Sequence, residues 1–358
     1  MRIPIRGFRI VDSRVEEIEP RTMEEVVEHV KSPEFVWLDL DLQSAPIDQV
    51  KDLLLNKLDI HPLVVEECIT PDVYQPKFEE ESGYKFFIFH YFREGRQDYL
   101  KASELNIYMG ENFVMTLHRS PIPTYLKLFA QNLPADLFLF KDKSVIFLYQ
   151  ILDILIDDYL KMLQLIQKRG DEMEFNLLNP AGAGLSQAAT KRRFARRKRK
   201  DQLQLFKEIL AQRHNLSLIR KSLIQELEIL QEQVRAYEEP EEALPISDEE
   251  REEIVVYLGG LVNHIEKAAQ IVDQEREILT QLMEMHSTII QARSEEIQRI
   301  LTVYAALFIP LTFVASYFGM NLNVMHGINE RYFIWILDFM LLVMSGGIIY
   351  YFYRKEWL

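Results

Sequence analysis

The hydrophobic and polar positions follow two different patterns along the chain. Between residues 8 and 119, short apolar runs bounded by Gly, Pro and charged residues predict β-strands, most clearly over residues 35–40 and 85–92. A further hairpin is predicted over residues 106–118, with Gly110 and Glu111 in its turn. From about residue 144 onward, long stretches rich in Leu, Ile, Glu, Gln and Lys predict helices longer than the average of globular proteins.

Two of these long helices are predicted before residue 238. They cover residues 144–175 and 201–237, and between them lie a loop-like stretch at 176–184 and a basic run at 191–200. Eight of the ten residues in the basic run are Lys or Arg. Taken alone, such a run is typical of RNA binding or of an import signal. We instead expect it to meet anionic membrane lipids, if the tip of the helix pair points back at a membrane.

A third long helix is predicted to follow the acidic, proline-containing stretch at residues 238–245. Ser247 and Glu250 have the spacing of a capping box, which marks a helix start. Gly259 and Gly260 weaken this helix without necessarily ending it. A helix continuing from there into a membrane would be on the order of 100 Å long, so the sequence predicts a stalk.

Two segments near the C-terminal end have the composition of membrane spans. Residues 300–318 are long enough to cross a bilayer, and no Asp, Glu, Lys or Arg occurs from residue 300 to residue 329. Residues 332–353 form the second segment, in which Asp338 is the single acidic interruption.

The distribution of basic residues around the two spans predicts their orientation. Arg293 and Arg299 precede the first span, and Arg354 and Lys355 follow the second, whereas the intervening loop offers only Arg331 beside an acid. By the positive-inside rule, both termini are expected in the cytoplasm.

A mostly polar or small stripe runs along the stalk and the first span in steps of three and four residues. A mean repeat of 3.5 residues keeps one helical face on the axis of a left-handed bundle. Polar groups inside a bilayer need protein or water around them, so the hydroxyl groups indicate an aqueous path enclosed by several copies of the helix. The alternative is that these hydroxyls bond to backbone carbonyls one turn back or join neighbouring helices. The stripe comprises Thr288, Gln291, Glu295, Gln298, Thr302, Ala305, Ile309, Thr312 and Ser316.

Two members of this pore-facing stripe have specific predicted roles. Glu295 would form a ring of negative charge at the cytoplasmic mouth, with a solvated stalk position as the alternative. Ile309, beside Pro310, is the best candidate for a constriction that excludes water, with ordinary helix packing as the alternative.

Composition excludes several classes of function. The formal net charge of −14 disfavours nucleic acid as the main partner, because phosphate binding needs a basic face. Cys68 is the single cysteine, so neither an intrachain disulfide nor a multi-cysteine zinc site can form. The sequence has no phosphate-binding glycine loop, no HExxH pair and no nucleophile elbow, so we do not expect an enzyme. A non-transporting two-span membrane sensor is the alternative from another class.

The segment from Tyr317 to Asn321 resembles the Gly-Met-Asn signature of the CorA family of magnesium and cobalt transporters. It follows residues 309–313 (Ile-Pro-Leu-Thr-Phe) at the family's spacing, and a second span comes next. Residues 61–67, followed by Pro76-Lys77 and the strand at 84–92, are similar to the family's N-terminal domain.

This resemblance implies an α+β membrane protein in the cytoplasmic (inner) membrane, assembled as a homopentameric funnel. Each subunit would have an N-terminal cytoplasmic α/β/α domain, a long helical stalk and two C-terminal transmembrane helices. The implied segments are the α/β domain (1–143), the helix pair (144–246), the stalk (247–299), the pore-lining helix (300–318), the external loop (319–331), the second transmembrane helix (332–353) and a cytoplasmic tail (354–358).

The resemblance also implies a channel for divalent cations, most of all Mg²⁺ and also Co²⁺ or Ni²⁺, gated by cytoplasmic Mg²⁺ and without an organic cofactor. Gly319, Met320 and Asn321 would form the selectivity filter, where a ring of Asn321 carboxamides bonds to the waters that Mg²⁺ keeps. Divalent cations, membrane lipids and further copies of the chain are the implied partners. A zinc-transporting relative is the alternative, although its Gly-Ile-Asn tripeptide occurs here only at residues 327–329, eight residues too late.

Family members sense cytoplasmic Mg²⁺ at acidic sites between subunits. The resemblance gives only some of these acidic positions a counterpart in this sequence. The stalk position that carries an acid in the best-known members falls at Gly260. For each remaining candidate, the alternative is an exposed carboxylate on a solvated helix face. The candidate regulatory ligands are Glu66, Glu67, Asp157, Asp158, Glu266, Asp273 and Glu284.

Overall fold

The computed structural model divides into two compact units, Met1–Leu282 and Met283–Leu358, which are described separately. It describes residues 5–11, 14–81, 83–95, 98–120, 122, 142–178, 191–240, 246–318 and 332–357. Side chains are described throughout these ranges except at residues 176, 191–203, 318 and 333–334.

Seven strands and seven α-helices make up the described part of the chain. The strands are β1 (Ile5–Val11), β2 (Arg14–Ile18), β3 (Phe35–Asp41), β4 (Lys77–Glu81), β5 (Tyr84–Glu94), β6 (Leu100–Met109) and β7 (Phe113–His118). The helices are α1 (Met23–Val30), α2 (Ile47–Asp52, continued by a π-helical turn at Leu53–Lys57), α3 (Pro62–Ile69), α4 (Lys143–Leu178), α5 (Lys191–Glu238), α6 (Asp248–Phe318) and α7 (Phe333–Arg354).

The strands form one sheet in the order β2-β1-β3-β7-β6-β5-β4. Among the described strands, β3 and β7 pair in parallel, and the other neighbouring pairs are antiparallel. The predicted strands at residues 35–40, 85–92 and 106–118 are confirmed. At the predicted turn, the Gly110 amide donates to the Phe113 carbonyl (2.9 Å), and the Phe113 ring leaves no room for a side chain at residue 110.

Both faces of the sheet are covered, which gives the α/β/α layering that was predicted. Along β3, Val36, Leu38 and Leu40 belong to a core shared with α1, α2 and α3. The alternate residue Trp37 faces the other way, and its ring centroid lies 5.2 Å from that of Phe147 on α4. Trp37 is 0% exposed, so this central strand is buried on both sides.

The long helices differ in two places from the sequence prediction. Helix α5 begins at Lys191, so the basic run at 191–200 is part of the helix instead of preceding it. Helix α4 continues to Leu178, so the first residues of the predicted loop are helical. Lys and Arg are good helix formers, and like-charge repulsion of a few tenths of a kcal/mol per pair does not stop a helix of this length.

The start of the third long helix agrees with its predicted capping box. The Glu250 amide donates to the Ser247 side-chain oxygen (3.2 Å), and α6 then runs for 71 residues through Gly259, Gly260 and Pro310. The predicted helix that continues from this cap into an apolar segment is therefore confirmed, and its role as a stalk stays a prediction.

A buried polar network joins the sheet to the long helices of the first unit. The His90 ring bonds to the Tyr74 carbonyl through Nε2 (2.7 Å), so Nε2 carries the proton and Nδ1 accepts from the Ser222 hydroxyl (2.6 Å). One oxygen of Glu226 accepts from the His90 amide (2.9 Å) and from the Tyr159 hydroxyl (3.0 Å). Burial raises the pKa of Glu226 to about 7 and lowers that of His90, so the network favours neutral groups.

Because Glu226 has a folded-state pKa above its ordinary value of 4.5, ionisation destabilises the fold. The penalty is absent below about pH 4.5, grows as the pH rises toward 7, and is fully present above that. We expect Glu226→Gln to stabilise the protein at pH 8 by up to about 3 kcal/mol and to have little effect at pH 4.5. Unfolding midpoints of the detergent-solubilised protein from pH 4.5 to 8 check this.

The matched control for this prediction is Glu228→Gln, because Glu228 lies on the same helix and is exposed. It should leave the pH dependence of the parent unchanged. A Glu226→Gln variant whose unfolding midpoint parallels that of the parent at every pH would contradict an ionisable buried carboxyl at this position.

Candidate functional site

Helices α6 and α7 contain the two described segments that are long and apolar enough to cross a membrane. Of the residues in their most apolar parts, 0% and 6% are buried within the chain. On α6, the half-buried residues of the span lie on one face: Val303, Ala306, Leu307, Pro310, Leu311 and Val314.

The pore-facing stripe lies on a different face of α6. All of its members from Thr288 to Ser316 are exposed, and Ile309 is 67% exposed. At 3.6 residues per turn, the stripe is roughly a third of a turn from the half-buried face. Within the part of the chain that the structure describes, the whole stripe is therefore uncovered and free to meet other copies or water.

The hydroxyl groups of the stripe make the local bonds that the alternative explanation predicted. Thr302 donates to the Gln298 carbonyl (2.8 Å), and Thr288 donates to the Glu284 carbonyl (2.9 Å). A hydroxyl that donates its proton still presents oxygen lone pairs. These bonds therefore fix the oxygens as acceptors on the exposed face, which suits cations and the waters around them.

Glu295 lies near the end of the stalk with its carboxylate oriented by a neighbour. The Gln291 amide nitrogen, one turn earlier on the same stripe, donates to Glu295 (3.1 Å). Both side chains are exposed. The predicted ring of Glu295 carboxylates at the mouth of a pore stays a prediction.

Pro310 lies inside α6 beside the exposed Ile309. Proline has no N–H group, so the Ala306 carbonyl loses its ordinary helical donor at this level. An apolar side chain that the described residues leave largely exposed thus adjoins a weakened turn of the helix. This combination agrees with a constriction, which remains a prediction.

The second helix carries the features of a membrane anchor. Lys355 lies 5.3 Å from the ring centroid of Tyr351, and the rings of Phe352 and Trp357 stack at 5.7 Å. Aromatic and basic residues are enriched together where a helix leaves a bilayer. Asp338 is exposed on this helix.

The predicted selectivity filter, Gly319, Met320 and Asn321, lies outside the described residues. Its role therefore stays a prediction from the resemblance.

The predicted regulatory carboxylates are spread over α3, α4 and α6, and several contact a cation of their own chain. Asp158 pairs with Lys161 (3.3 Å), Asp273 pairs with Arg220 (2.6 Å), and Glu67 pairs with Lys77. Within the described residues, no three His, Cys, Asp or Glu side chains come together as metal ligands. The other candidates are exposed or half-buried: Glu66, Asp157, Glu266 and Glu284.

Comparison with known proteins gives concordant results. The family model described as "CorA-like Mg2+ transporter protein" matches residues 32–354. The putative metal ion transporter YfjQ of Bacillus subtilis is 26% identical over 331 residues, which are 92% of this chain and 93% of that protein. The cobalt/magnesium transport protein CorA of Thermotoga maritima is 24% identical over 302 residues, 84% of this chain and 77% of that protein.

Two solved structures share the fold. The complete CorA magnesium transporter of Methanocaldococcus jannaschii superposes with a TM-score of 0.73 at 20% identity, covering 100% of both chains. The ZntB cytoplasmic domain of Vibrio parahaemolyticus superposes with a TM-score of 0.56 at 11% identity, covering 82% of this chain and 100% of that domain.

Proposed function

The chain belongs to the family of CorA-like Mg²⁺ transporters, and we propose that it conducts Mg²⁺, with Co²⁺ and Ni²⁺ as further cargo, through a pore lined by α6. As a member of that family it is a divalent metal transporter of the membrane. The single observation that carries the proposed pore is the polar stripe of α6, which is exposed along its full length.

The proposed path requires several copies of the chain. One helix cannot enclose a pore, and the stripe has the 3.5-residue repeat that keeps a face on the axis of a bundle. An identical face on each copy closes into a ring by rotational symmetry. Five copies is the number that the resemblance implies.

The proposed selectivity follows from the chemistry of Mg²⁺. The ion holds its octahedral water shell tightly, so neutral oxygens that bond to these waters capture it without binding too strongly. The Asn321 carboxamide would supply such oxygens at the external mouth. The hydroxyls of Thr302, Thr312 and Ser316 would continue a polar path below it.

The proposed orientation places both termini in the cytoplasm of a cell whose inner membrane holds the protein. Arg293 and Arg299 precede the first span, and Arg354 and Lys355 end the second. The first compact unit would then meet cytoplasmic Mg²⁺.

Adjacent positions on α6 test the path directly. Ser316 belongs to the stripe, whereas Ala315 lies at the same depth about 100° around the helix. With Cys68 replaced by Ala, we expect Ser316→Cys in proteoliposomes to react with a small water-soluble thiol reagent at least about tenfold faster than Ala315→Cys, because thiolate reacts only where water reaches it.

Ion flux in the same proteoliposomes completes the test. Supplying Mg²⁺, Co²⁺, Ni²⁺ or Zn²⁺ in turn to the proteoliposomes measures the ion preference of the parent protein. Ser316→Cys that has reacted with the thiol reagent should lose ion flux. Preferential modification of Ala315→Cys would overturn the assignment of the pore face. A parent protein that transports Zn²⁺ but not Mg²⁺ would support the zinc alternative, and one that transports no cation would support the sensor alternative.

A further inference from the structure

A cavity of about 340 Å³ between α5 and α6 has a positively charged lining. Among the described residues that line it, Arg220, Lys221 and Arg276 carry positive charge and none carries negative charge. The other residues that line the cavity are Ser217, Ile224 and Gln225. This local excess of positive charge contrasts with the formal net charge of −14 of the whole chain.

Asp273 holds the two arginines of this cavity in place. Its Oδ1 lies 2.6 Å from Nε of Arg220, and its Oδ2 lies 3.4 Å from Nη2 of the same side chain. The same Oδ1 lies 3.7 Å from Nη1 of Arg276. Because Arg220 belongs to α5 and Arg276 to α6, one carboxylate orients guanidinium groups from two helices. A ligand that meets groups already oriented costs less conformational freedom on binding.

The three cations keep N–H groups that an anion can use. A guanidinium has five N–H groups, and the contacts of Arg220 with Asp273 involve Nε and Nη2 alone, so those on Nη1 stay available. Lys221 is exposed, and within the described part of the chain its ammonium forms no ion pair. Each cation can therefore donate to a ligand in the cavity.

The neutral polar groups of the lining have partners of their own. The Ser217 hydroxyl donates to the Arg213 carbonyl (2.9 Å), and the Gln225 amide donates to Gln75. The cations thus determine which ligand the cavity suits. Arginine binds phosphate oxygens through paired N–H groups, and lysine adds a point charge. Three positive charges match an anion with several negative charges better than one with a single charge.

We propose that this cavity binds the polyphosphate group of a soluble anion, with Arg220, Lys221 and Arg276 as its ligands and Asp273 as the residue that positions the two arginines. A nucleoside triphosphate and inorganic polyphosphate share this chemistry. The proposal goes beyond the transport of Mg²⁺ and does not depend on it, because anion binding is measured without ion flux.

Calorimetric titration of the full-length protein in detergent tests the proposal. The probes are tripolyphosphate, ATP and inorganic phosphate, in buffer free of divalent cations and at low ionic strength, where salt screens exposed charges least. The cavity variant carries Arg220→Gln, Lys221→Gln and Arg276→Gln. The matched control removes three positive charges from exposed positions of α4, α5 and α6 outside the cavity: Lys168→Gln, Lys207→Gln and Lys267→Gln.

We expect the parent to bind one tripolyphosphate per subunit, at least about tenfold more tightly than inorganic phosphate, because more charges meet the three cations. Lys221→Gln alone should weaken tripolyphosphate binding about fivefold, and the cavity variant at least about 50-fold. The control variant should stay within about twofold of the parent. Tighter binding of ATP than of tripolyphosphate would identify a nucleotide as the ligand, and equal binding would identify the polyphosphate group itself.

Three results would overturn the proposal. The first is a parent that shows no saturable binding of tripolyphosphate. The second is an equal loss of affinity in the cavity and control variants, which would indicate general charge attraction. The third is a cavity variant with parental affinity but altered subunit assembly, which would show that the cations meet acids of a second copy. If the cavity variant fails to fold, parental affinity in Lys221→Gln overturns the proposal.

Discussion

Replacing Asn321 by Ala should lower Mg²⁺ flux into proteoliposomes by about 100-fold or more. Each subunit would lose one carboxamide oxygen that bonds to the water shell of the ion, and each such bond contributes on the order of 1 kcal/mol. Because every copy in the ring loses its oxygen at once, the small losses add up, and about 1.4 kcal/mol already corresponds to a tenfold change.

The matched control is Asn329→Ala, which removes the same side chain from the same predicted external loop. It should retain most of the parental flux. Equal Mg²⁺ flux in the parent and in Asn321→Ala, with comparable amounts of assembled protein, would show that the Gly-Met-Asn segment does not select the ion.

Replacing Ile309 by Ser should raise basal Mg²⁺ flux about tenfold. Ile309 is 67% exposed, adjoins Pro310 and lies on the pore-facing stripe, so several copies would surround the axis with apolar surface. A narrow apolar ring excludes water and therefore hydrated ions, and a hydroxyl at that level lets water pass. Flux in proteoliposomes under the same Mg²⁺ gradient for parent and variant measures the change.

Phe308→Ser is the control, since Phe308 is also exposed and lies about 100° around the helix from Ile309. It removes a large apolar side chain at the same depth and should not raise flux. An increase with Phe308→Ser and none with Ile309→Ser would place the pore on another face of α6.

The sequence was sufficient for the features that depend on local pattern. The strands β3, β5 and β7 are rich in apolar residues, and the spans at the end of α6 and in α7 are defined by length and by the scarcity of charge. The cap at Ser247 depends on two residues three positions apart. Each of these signals is contained within a few turns or one strand, where pattern rules apply.

The features that the sequence did not predict depend on pairing between distant segments. Strand β4 has the sequence Lys-Phe-Glu-Glu-Glu, which has low strand propensity, and it forms because β5 pairs with it. Lys77 at the start of β4 compensates the charge of Glu67, which lies ten residues earlier on α3. The network of His90, Tyr159 and Glu226 joins segments more than 60 residues apart.

The buried Trp37 can serve as an intrinsic fluorescence probe of the first unit. The chain has three tryptophans, and Trp37 is 0% exposed in the first unit, whereas Trp335 is 74% exposed in the second. Indole emission shifts to longer wavelength in water, so with Trp335 and Trp357 changed to Phe, the remaining fluorescence would follow the interior of the first unit alone. Melting of that unit could then be followed without any label, while the membrane helices stay spectroscopically silent.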